Sequence, residues 1–350
     1  MIPVNVQQFP SKLSGGGKFW PIQEKMANPK KVGSISKFNR PAPKTKRSRR
    51  GKHPIAPIMQ YIKKHNHNLP KSLFCFESWN CKSALPSAPL KGGYVLNIAD
   101  YSIVDCSTKA DTICIDPVDG TFVAAKLSAT KSSKLGDRRY WTQIRDMMQL
   151  AMSNKPNVKR GSENCGIHSR YICFGFRKEQ TKSGELGEYS FDRSCSEEIQ
   201  TDVKNQIAGL VTKMENMAAT LTSKLPEYAH FKQCQKALSL PTVASGDNAV
   251  ATQFSAGRDY WSQAHTDQDF YFTLLSALSA NPKDHKEILY YFCFPEYKLK
   301  IPLRSAELIV FNPAKMHSCS NCKLHGSYIY SAYVSEKTAM TAGIGLGMHN

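Results

Sequence analysis

QAHTDQDFYF, residues 263–272, sets His265 and Asp267 two positions apart at the head of an apolar, aromatic run. The run reads as a buried strand. On a strand, residues i and i+2 point to one face, so an imidazole and a carboxylate there converge on one point. Convergence of that kind is what a metal ion asks of its ligands. Working outward, the chain beyond residue 245 is one short strand pattern after another: DNAVATQF, the opening stretch itself, EILYYFCFP, YKLKIPL, AELIVFNP and SYIYSAYVS, separated by turn residues. Short strands in regular order predict an antiparallel sandwich or jelly roll.

A second histidine fits this order. His317 stands in FNPAKMHSCS, directly after the strand AELIVFN. His-x-Asp followed by a distal histidine on a later strand matches the two-histidine, one-carboxylate facial set that holds non-haem iron(II) and leaves the remaining coordination positions open. A rival use of His317 exists, because His317, Cys319, Cys322 and His325 form H-x-C-x2-C-x2-H, four zinc-type ligands in nine residues. Its loops are tighter than those of usual zinc modules.

Upstream of residue 245 the elements are mixed. PIAPIMQYIKKH (54–65) reads as a short helix, and GGYVLNIADYSIVD, ADTICIDP and GTFVAAKL as strands, with Asp119-Gly120 as a tight turn. RRYWTQIRDMMQLAM (138–152) has helical spacing in Trp141, Ile144, Met148 and Met152. SRYICFGFRKEQTKSGELGEYSF (169–191) predicts two strands about a glycine-containing turn. The longest helix starts at Ser196, an N-cap with Glu197 and Glu198 in its first turn. Its apolar stripe runs through Ile199, Val203, Ile207, Leu210, Met214, Met217, Leu221 and Leu225 up to Pro226. Such a stripe most simply packs on a sheet.

The N-terminus is different. Residues 1–53 hold 13 Lys or Arg against the single acid Glu24, so twelve of the nineteen net positive charges of the 350-residue chain lie there. Low hydrophobicity and self-repulsion predict a disordered basic tail. KTKRSRRGKH (44–53) is a compact basic cluster of the kind read by nuclear import receptors or drawn to phosphate backbones, which makes nucleic acid the expected partner and the nucleus a candidate location. No apolar run is long enough to cross a bilayer and the start lacks the apolar core of a secretory signal, so an intracellular protein is expected. Eleven scattered cysteines without a secretion signal are expected to be reduced thiols.

Residues 245–338 resemble the double-stranded β-helix core of the Fe(II)/2-oxoglutarate-dependent dioxygenases. The resemblance rests on the strand order, on His265-Thr266-Asp267, and on His317 after IPLRSAELIVFNP. In its long preceding helix the segment is most similar to the TET and J-binding-protein branch and its transposon-associated relatives. The resemblance implies a mainly β, α+β fold: a jelly-roll core with a long supporting helix behind a basic tail. Its expected regions are 1–53 (tail), 54–195 (mixed α/β, the first part of the catalytic region) and 196–350 (helix plus jelly roll). It further implies Fe(II) held by His265, Asp267 and His317, with 2-oxoglutarate as cosubstrate for hydroxylation of a macromolecule, a nucleobase in DNA or RNA or else a protein side chain.

Two departures stand out. The family anchors the far carboxylate of 2-oxoglutarate with a basic residue, commonly Arg, some ten to fifteen positions past the distal histidine, and here none stands at that spacing. Tyr328 and Tyr330, alternating on one face of the last strand and expected to point with His317 into the barrel, are the substitute candidates, together with Lys337 and Arg304. Ser305 and Ala306 also replace the family's turn glycine. The missing arginine keeps a second class open, an inert jelly-roll module of a mobile-element protein that binds nucleic acid.

Overall fold

The computed structural model describes residues 98–99, 101–104, 111–116, 122–127, 136–156, 170–178, 185–222, 226–267 and 269–345. The basic tail, the helix expected at 54–65 and the Asp119-Gly120 turn lie outside the described residues. Thirteen strands and four α-helices are described. The strands are β1 (Ser102–Ile103), β2 (Thr112–Ile115), β3 (Phe122–Lys126), β4 (Arg170–Lys178), β5 (Leu186–Glu188), β6 (Gln253–Arg258), β7 (Ser262–His265), β8 (Thr273–Leu278), β9 (Tyr290–Phe294), β10 (Leu299–Leu303), β11 (Leu308–Phe311), β12 (His317–Cys319) and β13 (Tyr328–Tyr333). The helices are α1 (Arg138–Asn154), α2 (Glu197–Ala218), α3 (Pro226–Ala237) and α4 (Glu336–Gly345).

The strands form two open sheets, a small one in the order β1-β10-β9-β12-β7 and a large one in the order β2-β3-β11-β8-β13-β6-β4-β5. Strands from before residue 195 complete both sheets: β4 pairs with β6, β3 with β11, and β1 runs parallel to β10. The expected mainly β fold with a supporting helix is what the chain adopts, and neither sheet closes into a barrel.

Alternation along the strands of the large sheet divides the core into two layers. Leu274 and Leu278 of β8 and Tyr328, Tyr330 and Ala332 of β13 belong to a cluster with Trp141, Met148, Val203, Ile207 and Met214 of α1 and α2. The residues between them, Leu275, Ala277 and Ile329, pack with Phe292, Phe294, Ile301 and Cys319 of the small sheet. The large sheet is therefore covered on both faces, which is why TLLSAL of β8 reads as a continuous buried run without polar alternation. Each fully buried Leu or Phe in these layers contributes about 1.5–3 kcal/mol of transfer free energy.

The helices follow their local signals. Asp137 caps α1 by accepting from the Tyr140 N–H, and Ser196 caps α2 by accepting from the Ile199 N–H. The stripe on α2 is shorter than the sequence suggests. The helix ends at Ala218 and tightens into a 3₁₀ turn, Ala219–Leu221, and Pro226 opens α3 at its first position.

The turn from the small sheet to the large one, between β10 and β11, carries the missing glycine's cost. Ala306 sits there at φ +65°, a left-handed conformation, with its N–H donating to Ala277 O at 2.8 Å. An alanine strains there where glycine would not. Ala306→Gly is expected to stabilise the protein by about 0.5–1 kcal/mol in urea unfolding, the relief of strain exceeding the added flexibility of the unfolded chain. A destabilised variant would mean that the Ala306 methyl contributes more through packing than it costs in strain.

Candidate metal centre

His265 ends β7 and His317 begins β12, and these two strands pair antiparallel with His265 and His317 directly opposite one another. Directly opposed residues share a face, so strands 52 positions apart in sequence present two imidazoles side by side, their ring centroids 4.6 Å apart. The strand stops at His265. Asp267 lies just beyond it, pinned by its N–H donating to Pro313 O at 2.9 Å. The single strand expected across 263–272 is thus interrupted, because the aromatic run Phe270-Tyr271-Phe272 turns into the helix-side core. The carboxylate nonetheless returns to the imidazoles. Ligand atoms of His265, Asp267 and His317 all lie within 4.8 Å of one another, the one such set among the described residues.

The orientation of the rings is fixed twice over. His265 Nδ1 stands 2.6 Å from Gln263 O and His317 Nδ1 stands 2.8 Å from Lys315 O, the carbonyl two residues back in each case. A ring nitrogen facing a carbonyl must carry the proton, so both rings are Nδ1–H tautomers with Nε2 turned inward. There His317 Nε2 meets Asp267 Oδ2 at 3.2 Å and His265 Nε2 meets Asp267 Oδ1 at 3.4 Å. In neutral rings these Nε2 atoms are lone pairs facing carboxylate lone pairs. Only positive charge between them, a proton on each ring or a cation in the middle, makes the arrangement attractive. Burial pushes the Asp267 carboxyl up, but hydrogen bonds from His265 and His317 and their charges outweigh it and hold the group well below the ordinary carboxylate range.

The surroundings grade from greasy to wet. His317 is only 3% exposed in its side chain, against 31% for His265 and 30% for Asp267. Phe311 and Phe292 pack on His317 with centroids at 4.8 and 5.4 Å. The loop before His317 is held by Asn312, whose side chain accepts from the Ala314 N–H, and by Lys315, whose ammonium pairs with Asp116 at 2.8 Å. The pocket at the triad runs between the sheets, with Leu275, Ile329, Tyr260 and Phe292 in its walls. Gly257 makes room for one of them, since a Cβ there would come within 2.8 Å of the Tyr260 Cβ and 3.0 Å of its ring.

The expected cosubstrate anchors are placed otherwise. Tyr328 and Tyr330 alternate on one face, as read, but that face is the helix side: the Tyr330 ring packs on Phe254 and its hydroxyl accepts from Ser276, so Tyr330 borders the pocket without aiming its side chain into it. Ser331 and Tyr333, on the alternate face of the strand, line the pocket. The phase of the pleat was set by the helix-side core, which the aromatic rings fill. Lys337 is exposed on α4, and Arg304 pairs with Glu307 at 3.3 Å inside the β10–β11 turn. Neither borders the pocket, and among its described lining residues there is no Lys or Arg. The alternative zinc grouping is not assembled: His317 is engaged with Asp267, while His325, 92% exposed, pairs with Asp259 at 3.2 Å. The seven described cysteines are free thiols. Tyr171, Ser255 and Ser331 line the pocket and were not singled out by sequence; serines inside apolar strand runs were the available signal.

No helix among the described residues is long and apolar enough to cross a membrane. No protein-family model and no curated protein matches the chain. Solved structures do. NgTET1 in complex with 5mC DNA is similar at TM-score 0.39 and 11% identity over 69% of this chain and 85% of that one. An oxidoreductase of the 2OG-Fe(II) oxygenase family from Burkholderia pseudomallei is similar at TM-score 0.35 and 12% identity, covering 61% and 84%. The viral collagen prolyl hydroxylase from Paramecium bursaria Chlorella virus-1, as its 2OG complex, stands at TM-score 0.31 and 13% identity, covering 62% and 98%.

Proposed function

We propose that the chain is an iron(II)- and 2-oxoglutarate-dependent oxygenase that hydroxylates a macromolecular substrate, with the two sheets as its jelly-roll core. One observation carries this reading: two imidazoles, each tied by Nδ1–H to a carbonyl, turn Nε2 toward the two oxygens of one carboxylate. Two nitrogens and one oxygen, grouped on one side with their outer hydrogen bonds satisfied, suit a divalent first-row metal and leave room opposite the protein ligands. His265, Asp267 and His317 would hold the ion, which when bound would supply dioxygen activation coupled to oxidative decarboxylation of a 2-oxo acid. The chain's own part is positional. The carbonyls of Gln263 and Lys315 fix the ring tautomers, and Phe292 and Phe311 keep water from the buried side of His317.

A nucleobase is the substrate class we favour, for the charge of residues 1–53: a tail with thirteen basic residues attracts a polyphosphate backbone, and a base flipped from the stack can bring its carbon to the ion. A protein side chain is the second option. The inert nucleic-acid module is kept in view by the pocket itself, whose described lining offers no cation to a second carboxylate.

Anaerobic loading of the full-length protein with Fe(II), followed by 2-oxoglutarate and air, separates these classes. Succinate and CO₂ in equal amounts are expected, rising when single-stranded DNA is added. Iron bound without any succinate, with or without nucleic acid, would leave the inert module as the better reading.

A further inference from the structure

Two of the three clustered side chains are oriented by one short turn. Pro313 O accepts from the Asp267 N–H at 2.9 Å, and Lys315 O faces His317 Nδ1 at 2.8 Å. His265 is served separately, by Gln263 O on its own strand. The turn, residues 312–315, leaves β11 and is tied to β3 by its backbone, the Asn312 N–H donating to Val123 O at 2.9 Å. Its other end is tied by a side chain. Lys315 reaches 199 residues back to Asp116, just past β2, and its ammonium donates to Asp116 Oδ2 at 2.8 Å. The same oxygen accepts from the Tyr297 hydroxyl at 2.6 Å. Both charged side chains are covered, Lys315 at 7% exposure and Asp116 at 13%. A buried ion pair adds little net stability, since desolvation offsets the attraction, but taking away one partner leaves a charge that must find water. What such a pair does fix is a position. Here it fixes the backbone of Lys315, whose carbonyl sets the His317 ring.

We infer that Asp116 is a positioning residue of the metal centre. By neutralising the buried Lys315 ammonium it holds the 312–315 turn against the ligands, and through Lys315 O it keeps the proton on His317 Nδ1 and Nε2 turned inward. This rests on the proposed oxygenase reading for the ion, and it extends the centre to a residue outside the strands that carry the His-x-Asp and distal-histidine spacing. Without Asp116 the ammonium is drawn to solvent, the Lys315 backbone follows, and the imidazole loses the acceptor that fixes its tautomer. Loss of an outer partner of this kind typically costs about ten- to a hundredfold in metal affinity.

The test compares the full-length wild type with Asp116→Ala, both isotopically labelled at the histidine nitrogens, with Co(II) as the probe. In the metal-free proteins the His317 Nδ1–H resonance is expected to disappear from Asp116→Ala through exchange with water, while that of His265, held by Gln263 O, persists. Co(II) affinity is expected to fall by about ten- to a hundredfold, with a change in the visible absorption of the bound ion. Adding Lys315→Met removes the buried charge and keeps a side chain of similar length, so the double variant is expected to recover the His317 resonance and a Co(II) affinity within about threefold of the wild type. An unchanged His317 resonance and Co(II) affinity in folded Asp116→Ala would overturn the inference, leaving a buried ion pair with a structural role. A loss that Lys315→Met does not recover would also overturn it, because the effect would not pass through Lys315. If Asp116→Ala does not fold, Asp116→Asn, which keeps an oxygen for Lys315 and Tyr297 and removes the charge, is read in the same way for a loss of about three- to tenfold. A wild type that shows both Nδ1–H resonances and binds no Co(II) would overturn the oxygenase reading, and the hold of Asp116 on His317 would then be decided by the resonances alone.

Discussion

Asp267→Ala should abolish stable metal binding, lowering affinity for Fe(II) or its spectroscopic substitute Co(II) by more than a hundredfold. Loss of a group that only orients a ligand typically costs roughly ten- to a hundredfold in affinity. Asp267 is more than that, since both its oxygens face ring nitrogens at 3.2 and 3.4 Å and it is the sole carboxylate of the set. Without it two neutral imidazoles remain, too few and too weakly charged to hold a hard divalent ion. His325→Ala is the informative companion, because His325 belongs to the competing H-x-C-x2-C-x2-H spacing yet points to Asp259. It should leave Co(II) absorbance and stoichiometry unchanged. If His325→Ala lost the metal and Asp267→Ala kept it, the ion would belong to the cysteine-containing group, and the oxygenase reading would fail with it.

The members of the His265, Asp267 and His317 cluster were legible because each carries a strong local mark. His-x-Asp heads an aromatic run, and the distal histidine follows an unmistakable strand, Leu308–Phe311. What could not be read was the pairing that makes them meet, the direct opposition of His265 and His317 across β7 and β12, since register between strands so far apart is a tertiary property. The last strand shows the same limit in reverse. SYIYSAYVS alternates plainly, but a strand buried on both faces gives no clue as to which set of alternates meets the helices. Tyr328 and Tyr330 went to the helix side, and Ile329, Ser331 and Tyr333 to the pocket. β8 escaped notice for a related reason, as TLLSAL has neither a polar alternation nor a turn marker at its head. The start of helix α2 was read from its cap and stripe, but its end was set too late, and Glu215 on its buried face was passed over. Its spacing from Val211 places it there, but a carboxylate in that position is rarely buried, so composition argued against geometry.

That residue carries the second large expectation. Glu215 is 1% exposed, and its Oε1 accepts from the N–H groups of Val250 and Ala251 at 2.8 and 2.7 Å, tying α2 to the approach of β6. Its other oxygen, Oε2, has no hydrogen-bond partner among the described residues. Burial pushes the carboxyl up to about 7 from an ordinary 4.5, the two backbone bonds and the nearby Lys232 opposing it only in part. In the folded protein the group thus keeps its proton up to about pH 7, whereas in the unfolded chain it releases it near 4.5. Between these values the folded state binds more protons, so stability falls as pH rises. The contribution is present in full below about 4.5 and is lost as pH passes through about 7. A shift of this size corresponds to about 3 kcal/mol. Glu215→Gln keeps an oxygen for the two N–H donors and removes the titration. Its stability relative to wild type should therefore improve by about 2–3 kcal/mol between pH 5 and pH 8 in urea unfolding, whatever constant offset its amide introduces. Taking the difference between the two proteins cancels every other titrating group, the metal ligands included. A difference that stayed constant from pH 5 to pH 8 would show that Glu215 ionises in the fold near its ordinary value, and that the join between α2 and β6 has no bearing on the acid preference of the fold.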